Sequence, residues 1–158
     1  MSTETKSTQV NIYTDFHLQY ISGEWKNGDD DSINTNTNPF NGETLVEIQQ
    51  ATDKQLDDAY QAASQAQKQW AQQTPNERAA ILYKVVSIFD QRQDEIVDWL
   101  IKESGSTRIK AMVEFSGARA ITLEAASFPN RVHGEIRASN TPGKENFIYR
   151  EPMGVIAV

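Results

Sequence analysis

The chain has 158 residues, of which 38% are hydrophobic and 23% are charged, values that are typical of a globular domain with its own core. A net charge of −7 argues against nucleic acid as a partner, because phosphate binding needs clustered lysine and arginine side chains. No apolar run approaches the roughly 20 residues of a membrane span, and residues 1–9 lack the apolar stretch of a secretory signal. We therefore expect a cytoplasmic protein that binds neither membrane nor nucleic acid.

Cysteine is absent from the sequence. The chain therefore contains no disulfide, no thiolate metal site and no cysteine nucleophile of its own. His17 and His133 are too far apart in sequence to match a metal-binding spacing. Arg108 and Lys110 are flanked by acidic residues, a pattern that predicts a solvated helix face. No Gly-x-Gly-x-x-Gly is present, so the sequence carries no dinucleotide fingerprint.

The first third of the chain alternates turns with short strands. Residues 1–18 are polar and predict a mobile tail. Residues 20–25, Tyr-Ile-Ser-Gly-Glu-Trp, predict a tight hairpin around the internal glycine. Asn27-Gly28 predicts a turn, as do residues 38–43, Asn-Pro-Phe-Asn-Gly-Glu, where proline presets φ and Asn-Gly tolerates a positive φ. The β-branched content of residues 44–48 favours a strand.

Two helices are predicted next, each with its own start signal. Thr52 and Gln55 match a capping box, and the helix behind them continues for about 20 residues. Thr74, Pro75 and Glu77 supply the N-cap, the first helical residue and the capping glutamate of the second helix. The apolar stripes that we expect to be buried are Leu56, Ala59, Tyr60, Ala63, Ala66 and Trp70 on the first helix, and Ala80, Ile81, Val85, Ile88 and Phe89 on the second.

Two more helices follow a polar interruption at residues 90–95. We expect the third helix to carry Ile96, Trp99 and Leu100 and to stop at Gly105. A fourth helix is expected over about residues 107–128 and ends at a proline. The side chains that we expect this fourth helix to bury are Met112, Phe115, Ile121 or Ala120, and Leu123.

The last part of the chain predicts strands. Residues 132–137 and 147–150 read as two strands joined by a loop that contains Pro-Gly. The continuous apolar run at residues 153–158 is typical of a strand covered on both faces, as in a parallel α/β sheet. A parallel neighbour needs a crossover connection, and no such connection follows residue 158. We therefore expect the chain to stop within a larger architecture.

The order and spacing of these segments resembles the aldehyde dehydrogenase superfamily over residues 20–158. Each segment is unspecific alone, but seven of them occur in the family's order. The matching segments are Tyr-Ile-Ser-Gly-Glu-Trp (20–25), Asn-Pro-Phe-Asn-Gly-Glu-Thr (38–44), the alanine-rich helix ending at Trp70, Glu-Arg-Ala-Ala-Ile-Leu (77–82), Glu-Ser-Gly (103–105), Arg-Val-His-Gly-Glu (131–135) and Arg-Glu-Pro-Met-Gly-Val-Ile-Ala-Val (150–158).

The resemblance implies an α/β fold with short N-terminal strands, several helices, a β-hairpin arm and the first strand of a Rossmann-like sheet. It divides the chain into a flexible tail (1–18), a helical lead-in to the cofactor-binding domain (19–131), an oligomerisation hairpin (132–150) and the first Rossmann strand (151–158). The implied activity is NAD- or NADP-dependent oxidation of an aldehyde to a carboxylic acid through a cysteine thiohemiacetal. The family's nucleophilic cysteine, base glutamate and most cofactor contacts lie further downstream. We therefore expect an N-terminal fragment that is inactive and binds no cofactor well by itself.

Two further expectations follow from the family. Many members hold a structural Na⁺ or K⁺ with backbone oxygens just before the Asn-Pro turn and with an acidic residue before the glycine that ends the helix. By position these residues are Asn36, Thr37 and Glu103 here, although the family often has aspartate at the last of these and part of the site lies downstream. The hairpin at residues 132–150 is expected to join a neighbouring subunit in a homo-oligomer, because a projecting hairpin exposes unpaired edges. The alternative is a hairpin packed on its own domain.

A different hypothesis remains open for the whole chain. It is a small helical interaction module that assembles with a full-length relative through the hairpin. Such a module would fold and melt cooperatively by itself, whereas a fragment with an unpaired apolar strand is expected to aggregate.

Overall fold

The structure is a computed structural model that describes residues 13–158. Four helices account for most of the ordered backbone: α1 (Asp53–Gln72), α2 (Pro75–Gln91), α3 (Gln93–Ser104) and α4 (Arg108–Ser127), with a short 3-10 helix at Phe128–Arg131. The strands of the described residues form three antiparallel ribbons. They pair β1 (Gln19–Ile21) with β2 (Glu24–Lys26), β3 (Ile33–Thr37) with β4 (Thr44–Gln49), and β5 (Glu135–Ala138) with β6 (Glu145–Ile148). The predicted mixture of helices and short strands is confirmed.

The β1–β2 ribbon is the tight hairpin predicted from residues 20–25. Its two turn residues, Ser22 and Gly23, both have positive φ, at 56° and 85°. A turn with two positive φ values matches the right-handed twist of the strands it joins. Tyr20 lies directly opposite Trp25, with ring centroids 5.1 Å apart.

The β3–β4 ribbon contains one strand that the sequence analysis predicted and one that it missed. β4 covers the expected residues 44–48, whereas β3 follows the acidic loop and was not predicted. The register pairs Asn36 with Val46 and Thr37 with Thr44, so Leu45 has no partner and forms a bulge. The missed signal is the alternation of β-branched residues at positions 33, 35 and 37.

The turn predicted at Asn27-Gly28 is wrong. Gly28 has no positive φ and is buried, and a Cβ atom built on it would lie 2.0 Å from the carbonyl oxygen of Gln50. The glycine is needed for this close approach of two backbone segments. Gln55 fixes the same segment, because its Nε2 donates to the Asn27 carbonyl at 3.0 Å and its Oε1 accepts from the Asp29 N–H at 2.8 Å.

The predicted helix ends are confirmed. The Thr52 hydroxyl accepts a hydrogen bond from the Gln55 N–H, and the Gln55 side-chain oxygen accepts one from the Thr52 N–H, which completes the capping box of α1. Thr74 and Glu77 do the same for α2, with Pro75 as the first helical residue. At the end of α3, Gly105 adopts the left-handed conformation with φ 63°.

The apolar core lies where α2, α3 and α4 meet. Val97 and Ala111 are fully buried and Phe115 is 4% exposed. Phe89 of α2 reaches the same cluster, with its ring centroid 6.2 Å from that of Phe115. Burying a side chain of this size stabilises a fold by about 1.5–3 kcal/mol. This three-helix contact is therefore the apolar centre of the described chain.

Several helix faces were assigned to the core incorrectly. α2 buries Ala79 and Val86, whereas the predicted Ile81 and Ile88 are 45% and 39% exposed. Ala79 and Val86 are seven residues apart and therefore share one face of α2, a helix that packs against both α4 and the 3-10 helix. The other predicted core residues that remain exposed are Leu56, Tyr60, Ala63, Ala66 and Trp70 on α1, Ala80 on α2, and Ala120, Ile121 and Leu123 on α4.

Ion pairs join the three core helices at their surface. Arg119 of α4 donates from Nε and Nη2 to the two carboxylate oxygens of Asp90, at 2.5 and 2.8 Å. Arg108 donates to Asp98 at 2.9 Å and to Asp94 at 3.2 Å. The predicted solvated face at Arg108 is therefore also a link between α3 and α4.

The two ends of the described chain differ from expectation. Residues 1–12 of the predicted mobile tail lie outside the described residues, but Tyr13 and Phe16 pack on α3, with the Phe16 ring centroid 4.3 Å from that of Trp99. Residues 151–158, predicted as a strand, carry no regular structure. A strand needs a hydrogen-bonded neighbour, and the described residues place none beside this segment. No helix within residues 13–158 has the length and apolar character to span a membrane.

Candidate functional site

The structure brings together two of the three residues predicted to hold a cation. The Asn36 side-chain amide, at the end of β3, donates to the carboxylate of Glu103 in the last turn of α3. Asn36 is half-buried and Glu103 is exposed. Thr37, the third predicted residue, follows Asn36 and pairs with Thr44 next to the bulge.

The contact depends on how α3 ends. Gly105 terminates the helix, and its N–H donates to the Ile101 carbonyl at 2.9 Å. Pro39 packs against this glycine so closely that a Cβ atom there would lie 3.0 Å from the proline Cγ. The turn that contains Pro39 therefore packs on the C-terminal end of α3, and this packing positions Asn36 beside Glu103.

Hydrogen bonds within the turn hold this arrangement. The Asn38 N–H donates to the Glu43 carbonyl and the Gly42 N–H donates to the Asn38 carbonyl, both at 2.8 Å. The Asn38 side chain accepts from the Phe40 N–H at 2.9 Å. Gly42 has φ 74°, the conformation that the Asn-Gly pattern predicted.

The donor set consists of oxygen atoms. The Glu103 carboxylate and the backbone carbonyls of Asn36 and Thr37 are hard oxygen ligands of the kind that bind Na⁺ and K⁺ rather than a transition metal. Within residues 13–158 no three His, Cys, Asp or Glu side chains cluster as metal ligands. Ser106, one residue beyond Gly105, has a buried hydroxyl oxygen without a hydrogen-bond partner in the described chain. The chemistry of this corner therefore fits a monovalent cation.

The histidines and serines form no catalytic arrangement among the described residues. The Nδ1 atom of His133 lies 2.8 Å from the Arg131 carbonyl oxygen, and the side chain is exposed. The hydroxyl of Ser104 donates to the Leu100 carbonyl of its own helix at 2.6 Å. These contacts are local and structural.

A cluster that the sequence analysis missed holds residues 13–16 on α3. The Arg92 guanidinium donates to both carboxylate oxygens of Glu95, at 2.8 and 2.5 Å, and lies over the Tyr13 ring, 5.8 Å from its centroid. The Tyr13 N–H donates to Glu95 at 3.1 Å. The hydrogen bonds from Arg92, and then that from Tyr13, lower the pKa of Glu95 despite its burial. Only the i,i+3 spacing of Arg92 and Glu95 was visible in the sequence.

Comparison with known proteins decides the family. The model of the aldehyde dehydrogenase family matches residues 25–158, which is most of the chain. The chain belongs to the aldehyde dehydrogenase family. The resemblance carried by the seven sequence segments is confirmed.

Individual relatives of this aldehyde dehydrogenase chain agree with the family match. It is 50% identical over 138 residues to a vanillin dehydrogenase of Corynebacterium glutamicum, and 37% identical over 146 residues to a benzaldehyde dehydrogenase of Bacillus subtilis. These alignments cover 87% and 92% of this chain, but 28% and 30% of the two relatives. The crystal structure of an NAD-dependent benzaldehyde dehydrogenase from Corynebacterium glutamicum superposes with a TM-score of 0.80 at 46% identity, covering 90% of this chain and 30% of that one.

The Glu95 cluster predicts an acid-sensitive contribution to stability. Because the folded pKa of Glu95 lies below its unfolded value, its contribution is fully present above the unfolded value, near pH 4.3, and is lost as pH falls through the folded value. Glu95→Gln should lower the free energy of unfolding by about 1–3 kcal/mol at neutral pH, because it leaves Arg92 without its carboxylate. Urea unfolding followed by circular dichroism at neutral and acid pH measures this difference.

Asp98→Asn provides the matched control, since Asp98 and its partner Arg108 are both more than half exposed. An exposed ion pair contributes little, so this variant should unfold almost as the parent does. The difference in unfolding free energy between Glu95→Gln and the parent should disappear at acid pH. A difference in unfolding free energy that is the same at every pH, or an equal loss of stability in Asp98→Asn, would contradict this role of Glu95.

Proposed function

We propose that this chain forms the N-terminal part of an NAD- or NADP-dependent aldehyde dehydrogenase that oxidises an aromatic aldehyde to the carboxylic acid. The 50% identity to a vanillin dehydrogenase over 138 residues carries the proposal. A second match, of 35% identity over 120 residues to an NAD-dependent benzaldehyde dehydrogenase of Pseudomonas putida, supports the same substrate class. The chain spans under a third of the length of these relatives.

The chemistry limits what these 158 residues do alone. Oxidation through a thiohemiacetal needs a thiolate nucleophile, and the sequence contains no cysteine. The nicotinamide cofactor supplies the hydride acceptor when it is bound. Because no dinucleotide fingerprint occurs in the sequence, we assign no cofactor contact to these residues. The role that we propose for this chain is therefore structural, and the chain is inactive by itself.

Aldehyde oxidation by a chimera tests this proposal. Residues 25–158 would replace the matching segment of the Corynebacterium glutamicum vanillin dehydrogenase, which supplies the rest of the enzyme. We expect the chimera to reduce NAD⁺ or NADP⁺ with vanillin and benzaldehyde, and the 158-residue chain alone to reduce neither, as followed by nicotinamide absorbance. The unmodified relative is the control. Turnover by the isolated chain, or a chimera that folds like its parent and oxidises no aldehyde, would refute the proposal.

The hairpin at residues 132–150 supports assembly with a second copy. Ile136 lies directly opposite Phe147, and Tyr149 stacks on Phe147 with ring centroids 6.5 Å apart, so the three side chains share one apolar face. All three are more than half exposed. The outer edges of this ribbon are unpaired among the described residues. We propose that a second subunit covers this face and edge, giving a homo-oligomer.

Phe147→Glu should disrupt this assembly, because it places a charge at the centre of the apolar face. Size-exclusion chromatography with light scattering would compare the variant with the parent chain, and we expect a shift from oligomer to monomer. Phe40→Glu is the control, since Phe40 is an 89% exposed aromatic residue outside the hairpin. A monomeric parent, or an unchanged oligomer in Phe147→Glu, would contradict the homo-oligomer.

The same apolar face favours the second candidate function, an interaction module that assembles with a full-length relative. Mixing the chain with the intact Corynebacterium glutamicum enzyme separates the two candidates. A module forms a mixed complex that Phe147→Glu abolishes and melts cooperatively by itself. A fragment of the enzyme self-associates without entering the intact enzyme, and it gains activity only when the remaining segment is joined to it.

We propose that Asn36, Thr37 and Glu103 hold Na⁺ or K⁺ through oxygen atoms. Binding to the folded state raises stability, by about 1.4 kcal/mol at a cation concentration ten times the dissociation constant. Thermal melting in KCl and NaCl, compared with tetramethylammonium chloride at equal ionic strength, should show this rise. Glu103→Gln should abolish it, whereas Glu114→Gln on the exposed face of α4 should retain it. Equal melting in all three salts would exclude the site.

A further inference from the structure

The sequence contains two Asn-Gly dipeptides, Asn27-Gly28 and Asn41-Gly42, in very different surroundings. In such a dipeptide the glycine backbone nitrogen can attack the side-chain amide carbon of the asparagine, because glycine offers no side chain to hinder the approach. The reaction needs water and a backbone that can reorganise into a five-membered ring. The fold therefore decides which of the two dipeptides can react.

The backbone around Asn27-Gly28 is fixed. Gly28 is buried, and the Gln50 carbonyl oxygen occupies the space beside its α-carbon. The Gln55 side chain binds the carbonyl of Asn27 and the N–H of Asp29, so both flanking peptide groups are held. Ring closure here would require α1 to separate from this segment.

Asn41-Gly42 lies in an open turn. Both residues are exposed, and no atom of the described chain lies within 4 Å of a Cβ built on Gly42. The Glu43 N–H donates to the Asn41 side-chain carbonyl at 3.0 Å, which draws electron density from the amide carbon and makes it a better electrophile. Ring closure here requires the Gly42 N–H to release the Asn38 carbonyl, a hydrogen bond within the turn, and it does not involve the packing of Pro39 on Gly105.

We propose that Asn41 is a site of spontaneous deamidation and that the fold protects Asn27. The Gly42 nitrogen loses its proton and bonds to the Asn41 Cγ, the Cγ–Nδ2 bond breaks, and ammonia leaves with the proton. Water then opens the resulting succinimide at either carbonyl, giving aspartate or isoaspartate. No oxidant, reductant or enzyme is required.

The modification alters the turn through which the β3–β4 ribbon packs on α3. The Asn41 amide donates to Glu43 at 3.4 Å, and an aspartate there replaces this donor with a second negative charge. Isoaspartate also lengthens the backbone of a turn whose Pro39 rests on Gly105. Deamidation therefore weakens the contact that holds Asn36 beside Glu103.

Peptide mapping by mass spectrometry tests the proposal. The chain is incubated at mildly alkaline pH, once in buffer and once unfolded in urea, and each asparagine is scored for replacement of NH₂ by OH. In buffer we expect Asn41 to react at least about ten times faster than Asn27. The hydrogen bonds around Asn27 suppress the local opening that its reaction requires. In urea both should react at similar rates.

The variants separate chemistry from structure. Asn41→Gln should remove the fast reaction, because closure onto a longer side chain forms a less favourable six-membered ring. Gln55→Ala should speed the reaction at Asn27 by releasing its flanking peptides, while leaving Asn41 unchanged. An unreactive Asn41 in buffer, equal rates at the two sites in buffer, or no effect of Gln55→Ala on Asn27 would overturn the proposal.

Discussion

The contact between Gly105 and Pro39 determines the arrangement of the functional candidates in this chain. A left-handed glycine ends α3 and leaves room for the proline ring, so the turn is fixed against the helix end. Every residue of the proposed cation site derives its position from this contact, because Asn36 precedes the turn and Glu103 precedes the glycine. Any larger residue at position 105 would meet both a strained φ and the proline Cγ.

Polar side chains join the elements of this fold as much as its small apolar core does. Gln55 is the one polar residue among the described positions that is nearly fully buried, and it links α1 to the loop after β2. Glu95 anchors the first described residues on α3, and Asp90 with Arg119 links α2 to α4. Such groups specify geometry more sharply than apolar contacts, because each lost partner leaves a costly unsatisfied group.

Local signals predicted the helix starts, the αL stop at Gly105 and the turn at residues 38–43, because each depends on hydrogen bonds within a few residues. The sequence analysis failed where a segment distant in sequence determines the local structure. Gly28 is required by the approach of Gln50, and Tyr13 is held by Glu95, 82 residues away. Asn36 and Glu103 are joined across 67 residues, and only the family resemblance placed them together.

The burial errors on α4 have a physical explanation of their own. This helix buries Ala111 and Phe115 on one side, yet Ile109, Val113 and Ile121 on its other faces are 80%, 68% and 72% exposed. Apolar residues on more than one side of a helix indicate that other segments cover more than one of its sides. The chain spans 28% and 30% of two relatives, and on the proposed function we infer that the rest of such an enzyme would cover these faces. The sequence pattern then reports burial in the complete enzyme, whereas the present structure reports the part that these 158 residues bury among themselves.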